Sequence, residues 1–330
     1  MRVRAIDPAA IDSAAMNEAG ELIRAGGLVA FPTETVYGLG ADATNAAAVE
    51  RIYAAKGRPS YNPLIVHVPD TSRARELVGG WSDFATLLST RFWPGPLTLV
   101  LPKGPAISSI ATAGLDTVGI RVPAHPVARA FLEAARRPVA APSANRSMQL
   151  SPTEGVHVSE GLGDAADLLL DAGPVDVGIE STVLDLSSAV PTILRPGMIS
   201  RSALSSVIGE VAVASERPAD GMARPSPGML DRHYTPRALL LFAASEARLR
   251  ELIAREAKPG RRMAALSIGE LSGPFTTIPM PKDAGGYARS LYGTLHRLDN
   301  EGYEVVIVAP VPAGDDWAGI RDRLTRATSS

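Results

Sequence analysis

Residues 28–40 read LVAFPTETVYGLG, a short apolar run that passes into a proline, two threonines, a glutamate, a tyrosine and two glycines. The apolar start predicts a buried β-strand. The residues after it form no charge run and no loop-like padding, so we expect a ligand to dock against this end of the strand. Glu34 and Tyr37 could belong to the wall of such a site or to its chemistry, and the sequence leaves both open.

The segments around this stretch predict an α/β sheet. Apolar residues at helical spacing precede the strand and stop at two glycines. After it, Thr44 or Asn45 can cap a second helix that Gly57 ends, which places Lys56 and Arg58 at a helix end beside a loop. Further strands are predicted within 62–68, 92–102, 117–123, 168–173, 181–186 and 192–197, and further helices at 125–137 and 200–208.

The character of the chain changes near residue 210. Residues 214–237 are rich in proline, glycine and polar residues, which is typical of a linker. From Ala238, strands alternate with amphipathic helices, a pattern that predicts right-handed crossovers and a parallel Rossmann-like sheet. No GxGxxG follows its first strand, so nucleotide binding there has little support. We expect a first domain over 1–210, a linker over 211–237 and a smaller domain over 238–330.

The composition narrows the functional classes. The 330 residues are 45% hydrophobic and 21% charged, and the formal net charge of -2 argues against a strongly basic nucleic-acid surface. The absence of cysteine removes disulfides, thiol nucleophiles and cysteine metal sites. The N-terminus lacks the apolar core of a signal peptide, and no apolar run approaches the ~20 residues that span a bilayer. We therefore expect a cytoplasmic protein that makes no membrane contact.

Four basic residues lie at strand or helix ends in otherwise uncharged contexts: Lys56, Arg58, Arg121 and Arg195. If they converge, they suit a polyphosphate, since arginine offers forked donors and lysine a compact point charge. The alternative is four unrelated surface side chains. The sequence does not decide between the two, because it does not fix which of these residues are neighbours.

Several polar residues allow two readings each. His67 interrupts an apolar strand and is either a hydrogen-bonded core histidine or a site residue. Ser143 and Asn145, in APSAN, could donate to phosphate oxygens or make a turn. Ser181 and Thr182, in GIESTV, could be site hydroxyls or simply start a strand. No GxSxG elbow and no HExxH spacing occur, which favours electrostatic positioning over a covalent intermediate.

Taken together, the motifs resemble those of YrdC-domain proteins, which make threonylcarbamoyl-adenylate. Seven motifs occur in the order found in that family: FPTETVYGLGA, KGRPSYNPLIVH, FWPGPLTLVL, GIRVPAH, APSANRS with SPT after it, GIESTVLDL and ILRPG. The resemblance covers residues 10–205 densely. It then continues more loosely through a PGM…HY linker and the C-terminal domain of the longer family members.

The resemblance implies both a fold and a reaction. The fold is an N-terminal YrdC-like twisted open sheet with a large cavity, a linker that lies over that cavity, and a smaller C-terminal Rossmann-like domain. The reaction is a nucleotidyl transfer in which L-threonine, bicarbonate or CO2, and ATP give threonylcarbamoyl-AMP and pyrophosphate. Mg2+ would arrive with ATP, with no direct protein ligands. The product would feed the threonylcarbamoyladenosine modification of tRNA, which a threonylcarbamoyl-transferase complex completes.

Matching the motifs position by position implies two sets of site residues. The set that would hold L-threonine is Thr35, His67, Arg121 and Ser181, with Arg121 as the natural partner of its carboxylate. The set that would contact ATP is Lys56, Arg58, Asn62, Thr117, Ala141, Ser143, Ser151, Arg195 and Tyr234. Within it, Lys56 and Arg58 are the expected catalytic cations.

The chain departs from the family pattern in two places. Met148 stands where the family usually has the glycine of SANxSG, and positive φ at that position would strain or reshape the loop. After PGM, Leu230 and Asp231 stand where a basic-aromatic pair is common. The second departure concerns the contacts that the linker would make.

Two other functions compete with this one. The first is carbamoyl transfer through carbamoyl-AMP, as in multidomain maturation proteins, but this chain has neither their length nor the cysteines of their zinc fingers. The second is an RNA-binding module, because a YrdC-type fold offers a positive concavity. Near-neutral charge and few lysines weaken it, and tight binding that falls steeply with salt would revive it.

Overall fold

A computed structural model of the chain describes residues 1–214 and 234–328. The first range builds an 11-stranded sheet with its helices, and the second builds a 4-stranded sheet with helices of its own. The predicted α/β fold class is confirmed. Most of the predicted linker, including Leu230 and Asp231, lies outside the described residues.

The elements follow the chain in this order. The strands of the large sheet are β1 Arg2–Ala5, β2 Val29–Phe31, β3 Gly38–Asp42, β4 Ile65–His67, β5 Leu97–Pro102, β6 Thr117–Arg121, β7 Val139–Ala140, β8 Leu168–Asp171, β9 Thr182–Asp185, β10 Thr192–Arg195 and β11 Ala212–Val213. The helices of this range are α1 Ser13–Arg24, α2 Ala46–Lys56, α3 Thr71–Glu76, α4 Asp83–Phe92, α5 Pro126–Ala135, α6 Gly155–Leu162 and α7 Arg201–Ile208. The second range contains β12 Leu239–Phe242, α8 Glu246–Glu256, β13 Met263–Ser267, β14 Thr276–Pro279, α9 Ala284–Asn300, β15 Val305–Val308 and α10 Ala318–Thr328.

Residues 28–40 form a hairpin at the centre of the large sheet. β2 pairs antiparallel with β3, with Val29 opposite Gly40 and Phe31 opposite Gly38. The backbone N–H and the hydroxyl of Thr33 both donate to the carbonyl of Val36, at 3.3 and 2.6 Å, and close the turn. The predicted strand is confirmed, whereas β3 was not predicted because GLGAD carries no β-branched or aromatic residue. The two threonines therefore lie in a buried turn between paired strands.

The large sheet is mixed, in the order β1-β8-β2-β3-β7-β4-β6-β5-β9-β10-β11. One set of alternate residues, such as Val66, Ile120 and Leu184, packs into the main hydrophobic core on one face. On the other face, α1 and α5 cover the strands around Val29 and Phe31. Because side chains alternate along a strand, the residues between the core positions of β4, β6 and β9 face away from the main core.

Helix α2, which ends at Lys56, has both predicted capping residues. The side chain of Asn45 accepts a hydrogen bond from the N–H of Ala48 at 3.2 Å and caps α2. Gly57 ends α2 in the left-handed conformation, with φ of 61°. These caps confirm the prediction and fix the point at which the chain leaves the helix, between Lys56 and Arg58.

The second range is the predicted parallel Rossmann-like unit. Its strands lie in the order β12-β15-β13-β14, and each neighbouring pair is parallel. β14 was not predicted, because TTIP is short and lies between polar segments. Within the described ranges, no helix has the combination of length and apolar character that a bilayer crossing requires.

Met148 adopts the positive φ that the family pattern anticipates for glycine. Its φ is 71°, and 42% of the residue is exposed. A side chain with a Cβ costs roughly 1–2 kcal/mol in this region, and an exposed methionine gains little packing in return. The loop therefore carries local backbone strain at this position.

Replacing Met148 with glycine should relieve that strain. We expect Met148→Gly to raise the free energy of unfolding by about 0.5 to 1 kcal/mol, since glycine gives back part of the gain as unfolded-state entropy. Denaturant titration measures the change. The control is Met148→Ala, which keeps a Cβ and should gain nothing. A glycine variant less stable than the parent would contradict the strain assigned to Met148.

Candidate active site

The sheet face opposite the main core carries most of the predicted site residues. In the register of β4 and β6, His67 lies opposite Arg121 and Ile65 opposite Gly119. On the other side of this region, Arg195 in β10 lies opposite Val183 in β9. A cavity opens on this face. Nine predicted residues line it: Thr35, Arg58, His67, Arg121, Ala141, Ser143, Ser181, Arg195 and Tyr234.

Arg121 is held from behind by the hairpin turn. One of its terminal nitrogens donates to the hydroxyl of Thr35 at 3.0 Å, and Nε donates to the carbonyl of Gly95 at 3.2 Å. The other terminal nitrogen lies 2.7 Å from Oε1 of Glu34 in an ion pair. Glu34 also accepts a hydrogen bond from the N–H of Ala124 at 3.0 Å. Glu34 therefore belongs to the wall that orients Arg121, which the sequence left open.

His67 presents a neutral imidazole to the cavity. Burial and the neighbouring Arg121 cation lower the pKa of His67 to about 3. Its Nδ1 is buried and has no hydrogen-bond partner among the described residues. The ring packs edge-on against Phe31 with 6.0 Å between centroids. A neutral ring with an unused polar atom can bind a hydroxyl or an amine of a ligand.

Arg58 is a buried cation that has no acidic partner among the residues that the structure describes. Its guanidinium donates to the carbonyls of Asn62 at 3.1 Å and Pro63 at 3.0 Å, and it forms no ion pair within the described part of the chain. Burial lowers the pKa of Arg58 to about 10, so it stays charged at neutral pH. A buried cation whose hydrogen bonds go only to carbonyls lacks charge compensation, and an anionic ligand supplies it.

Lys56 holds the loop that carries Ser143. Its Nζ donates to the carbonyls of Ser143, at 2.6 Å, and Asn145. Burial and the nearby Arg58 lower the pKa of Lys56 well below its ordinary value. Among the described residues, Lys56 also lacks an ion-pair partner, and it does not line the cavity itself. It lies directly behind the loop that does.

Arg195 and Ser181 form one unit. Nε of Arg195 donates to the carbonyl of Ser181 and a terminal nitrogen donates to its hydroxyl, both at 3.1 Å. The same hydroxyl lies 2.8 Å from that of Thr98. Burial lowers the pKa of Arg195 from its ordinary value. These contacts fix a further cation in the cavity lining, besides Arg58 and Arg121.

Ser151 lies behind the cavity wall and bonds to Glu180, which the sequence did not single out. The hydroxyl of Ser151 donates to Oε1 of Glu180, and Glu180 lines the cavity. Burial by itself would raise the pKa of Glu180, but the cations of Arg323 and Arg195 hold it at about 2. The only sequence signal was its place directly before Ser181 in GIESTV.

Asn62 and Thr117 lie outside the main cavity. Asn62 is completely buried, and neither polar atom of its side chain has a partner in the described ranges. Thr117 lines a separate narrow slot together with Thr98, Gly119 and Val183. The slot and the cavity share Ile65, so they are neighbours on one sheet face.

Tyr234 closes the cavity from the C-terminal side. It is buried with φ of 62°, and the residue after it, Thr235, donates its N–H to the carbonyl of Met148 at 2.8 Å. A backbone hydrogen bond thus joins the loop held by Lys56 to the segment that follows Tyr234. Arg323 of α10 and Tyr292 of α9 pack on the Tyr234 ring at 5.2 and 5.8 Å, and neither was predicted. Their positions in ordinary amphipathic helices gave no signal.

Comparisons with known proteins agree with this architecture. A family model for Sua5, YciO and YrdC proteins, described as telomere recombination, matches residues 21–197, and one described as threonylcarbamoyl-AMP synthase, C-terminal domain, matches residues 199–329. The threonylcarbamoyl-AMP synthase of Bacillus subtilis is 42% identical over 94% of this chain and 92% of its own. That of Pyrococcus abyssi is 38% identical over 94% of this chain and 93% of its own. The crystal structure of P. abyssi Sua5 complexed with L-threonine superposes with a TM-score of 0.92 at 37% identity, covering 99% of this chain and 98% of that one.

The position of Lys56 makes a direct prediction. Lys56→Met keeps the length of the side chain but leaves two loop carbonyls without a donor, so we expect a loss of about 1–3 kcal/mol in the free energy of unfolding. We also expect at least a ~10-fold loss of activity, because the loop bearing Ser143 loosens and a cation disappears. Thermal unfolding and steady-state rates measure the two effects.

Lys103→Met is the matched control. Lys103 is partly exposed and donates to a single carbonyl, that of Ile107, at 3.5 Å. Lys103→Met should change neither the free energy of unfolding nor the activity appreciably. Equal behaviour of the two variants would contradict the role given to Lys56.

Proposed function

This chain belongs to the Sua5/YciO/YrdC family, and we propose on that premise that its cavity joins L-threonine, bicarbonate or CO2, and ATP. The chain is a threonylcarbamoyl-AMP synthase, an adenylyl-transferring enzyme. The observation that carries the proposed binding mode is the buried guanidinium of Arg58, which lines the cavity and has no carboxylate partner within the described ranges. A polyphosphate provides the missing negative charge.

Threonine binds at the end of the cavity that holds Arg121. Its carboxylate pairs with the guanidinium, and the hydroxyls of Thr35 and Ser181 complete its polar contacts. The neutral ring of His67 accepts a hydrogen bond from threonine. Because Arg121 and His67 are themselves fixed by buried contacts, binding costs little reorganisation. The amine is left free to react.

The chemistry then needs no protein nucleophile. The threonine amine forms a bond to the carbon of CO2 and loses a proton, which gives a carbamate. With bicarbonate, the C–OH bond breaks and the displaced hydroxide takes the amine proton, so that one water leaves. A carbamate oxygen attacks the α-phosphorus, and the bond to the bridging oxygen breaks with its electrons leaving on pyrophosphate. Arg58 and Arg195 stabilise the charge that develops on the phosphate oxygens, and the closed wall excludes water.

The adenine base packs over Gly119 at the mouth of the slot next to the cavity. The slot lies two residues back along β4 and β6 from His67 and Arg121, where Ile65 and Gly119 face each other. Val100 and Val183 add apolar walls, and Thr117 lies at the rim. In the proposed binding mode the nucleotide lies along the sheet, with its phosphates near Arg58 and Arg195. Apolar walls with a few polar groups are typical of nucleobase sites.

Mg2+ enters with the nucleotide. Glu180 is the carboxylate that lines the cavity, and its oxygens already bind Ser151, Tyr292 and Arg323. The described residues do not form a protein-ligand set for the metal. The phosphates of ATP hold it. The product passes to a threonylcarbamoyl-transferase complex that modifies tRNA, so this chain meets tRNA indirectly, in the cytoplasm.

The reaction is tested by its substrate dependence. We expect pyrophosphate release with ATP, bicarbonate and threonine, together with an adduct of the mass of threonylcarbamoyl-AMP. Omitting threonine or removing dissolved carbonate should abolish both signals. Release that does not depend on threonine, or tight salt-sensitive RNA binding without turnover, would contradict the proposed reaction.

A substitution that fills the slot should affect the binding of ATP and of threonine differently. A Cβ on Gly119 would meet Thr98 at 3.3 Å and Ile65 at 3.5 Å, so Gly119→Ala should fit while Gly119→Val fills the slot. We expect the valine variant to raise the KM for ATP by about 10-fold or more and to leave threonine binding nearly unchanged. The alanine variant is the control. Equal effects on both substrates would place the base elsewhere.

A further inference from the structure

The C-terminal domain reaches the cavity wall through one buried arginine on α10. Nε of Arg323 donates to Oε2 of Glu180 at 2.7 Å, and a terminal nitrogen donates to the backbone carbonyl of the same residue at 3.2 Å. The other terminal nitrogen donates to the carbonyl of Pro196 at 3.0 Å. One guanidinium therefore ties together the residue before Ser181 and the residue after Arg195.

A close backbone contact brings α10 to this position. A Cβ on Gly319 would lie 2.9 Å from the backbone of Gly197, so the helix approaches the 196–197 turn more closely than a side chain would allow. Arg323 lies four residues further along, on the same helix face as Gly319. The approach places its guanidinium between the turn and Glu180, where 1% of the residue is exposed.

Helix α9 also supports Glu180, both directly and through Ser151. The hydroxyl of Tyr292 donates to Oε2 of Glu180 at 3.3 Å. Nε2 of His296 donates to the carbonyl of Ser151 at 3.1 Å, and the hydroxyl of Ser151 donates to Oε1 of Glu180. Glu180 thus receives donors from both domains. Its own backbone continues directly into Ser181.

Charge decides what Arg323 contributes beyond packing. Glu180 is an anion in the wall of a cavity that takes a polyphosphate, and Arg323 neutralises it from the side away from the cavity. Without that cation, the carboxylate would repel phosphates and would be free to turn toward Arg195 or Arg58. Arg323 also lies over the ring of Tyr234, 5.2 Å from its centroid.

We infer that Arg323 is a positioning residue for the reaction: from the C-terminal domain, it fixes Glu180 against the wall and thereby places Ser181, Arg195 and Tyr234 around the substrates. The C-terminal domain completes the catalytic cavity of the first domain. This inference rests on the proposed function for the identity of the ligands and goes beyond it in assigning a role to the second domain.

The test compares three variants in the full chain: Arg323→Gln, Arg323→Lys, and the double variant Arg323→Gln with Glu180→Gln. Calorimetry gives the Kd for threonine without turnover, steady-state kinetics give KM and kcat, and thermal unfolding gives Tm. We expect Arg323→Gln to weaken threonine binding and raise the KM for ATP by about 10-fold or more, with partial rescue by lysine. The double variant should recover part of Tm, because the Glu180–Arg323 ion pair is then removed from both sides and Glu180 is not left as an unpaired anion, yet it should keep the raised KM.

Arg261→Gln is the matched control, since Arg261 pairs with Glu256 at 2.6 Å in the same domain and outside the cavity. It should leave the Kd and KM unchanged. Kd and KM that follow Tm through all the variants, or normal binding in Arg323→Gln, would overturn the inference. Because the Kd is measured without catalysis, the result is distinct from a failure of the parent chain to form the adduct.

Discussion

The site depends on two buried basic residues, Lys56 and Arg58, that form no ion pair within the described part of the chain. Lys56 and Arg58 lie on either side of Gly57 at the end of α2. Both donate to backbone carbonyls instead of carboxylates. Leaving a buried cation uncompensated costs several kcal/mol, so the fold retains the charge of Arg58 at the expense of its own stability, while the hydrogen bonds of Lys56 hold the loop that carries Ser143. In the proposed binding mode, a polyanionic substrate removes that cost when it binds. Affinity for the nucleotide and orientation of the reacting groups therefore share one physical origin.

The geometry of the sheet turns this charge into a site. Alternation along the strands sends one set of residues into the core and leaves His67, Gly119 and Arg121 on the opposite face. The hairpin turn holds Arg121 through Glu34 and Thr35, and the second domain holds Glu180 through Arg323. Each polar group that faces the substrates is thus fixed by a contact made behind it. Such preorganisation lowers the reorganisation that the reaction requires.

Local pattern predicted much of the fold and little of the long-range support. The caps at Asn45 and Gly57, the apolar strands and the parallel C-terminal sheet follow from periodicity and capping residues. Strand β3 and the short helices α3, α4 and α6 were missed, because small residues or few turns leave a weak periodic signal. Most of the site residues predicted from the motifs line one cavity. Arg323 and Tyr292 were missed because their contacts with Glu180 cross more than a hundred residues of chain and leave no mark on local spacing.

A crystal structure of the chain with threonine and a non-hydrolysable ATP analogue tests the central claim most directly. The account predicts the threonine carboxylate on Arg121, the triphosphate between Arg58 and Arg195, and Glu180 still paired with Arg323. Phosphates bound away from Arg58, or Arg58 turned onto a carboxylate of the protein in the ligand-free crystal, would contradict it.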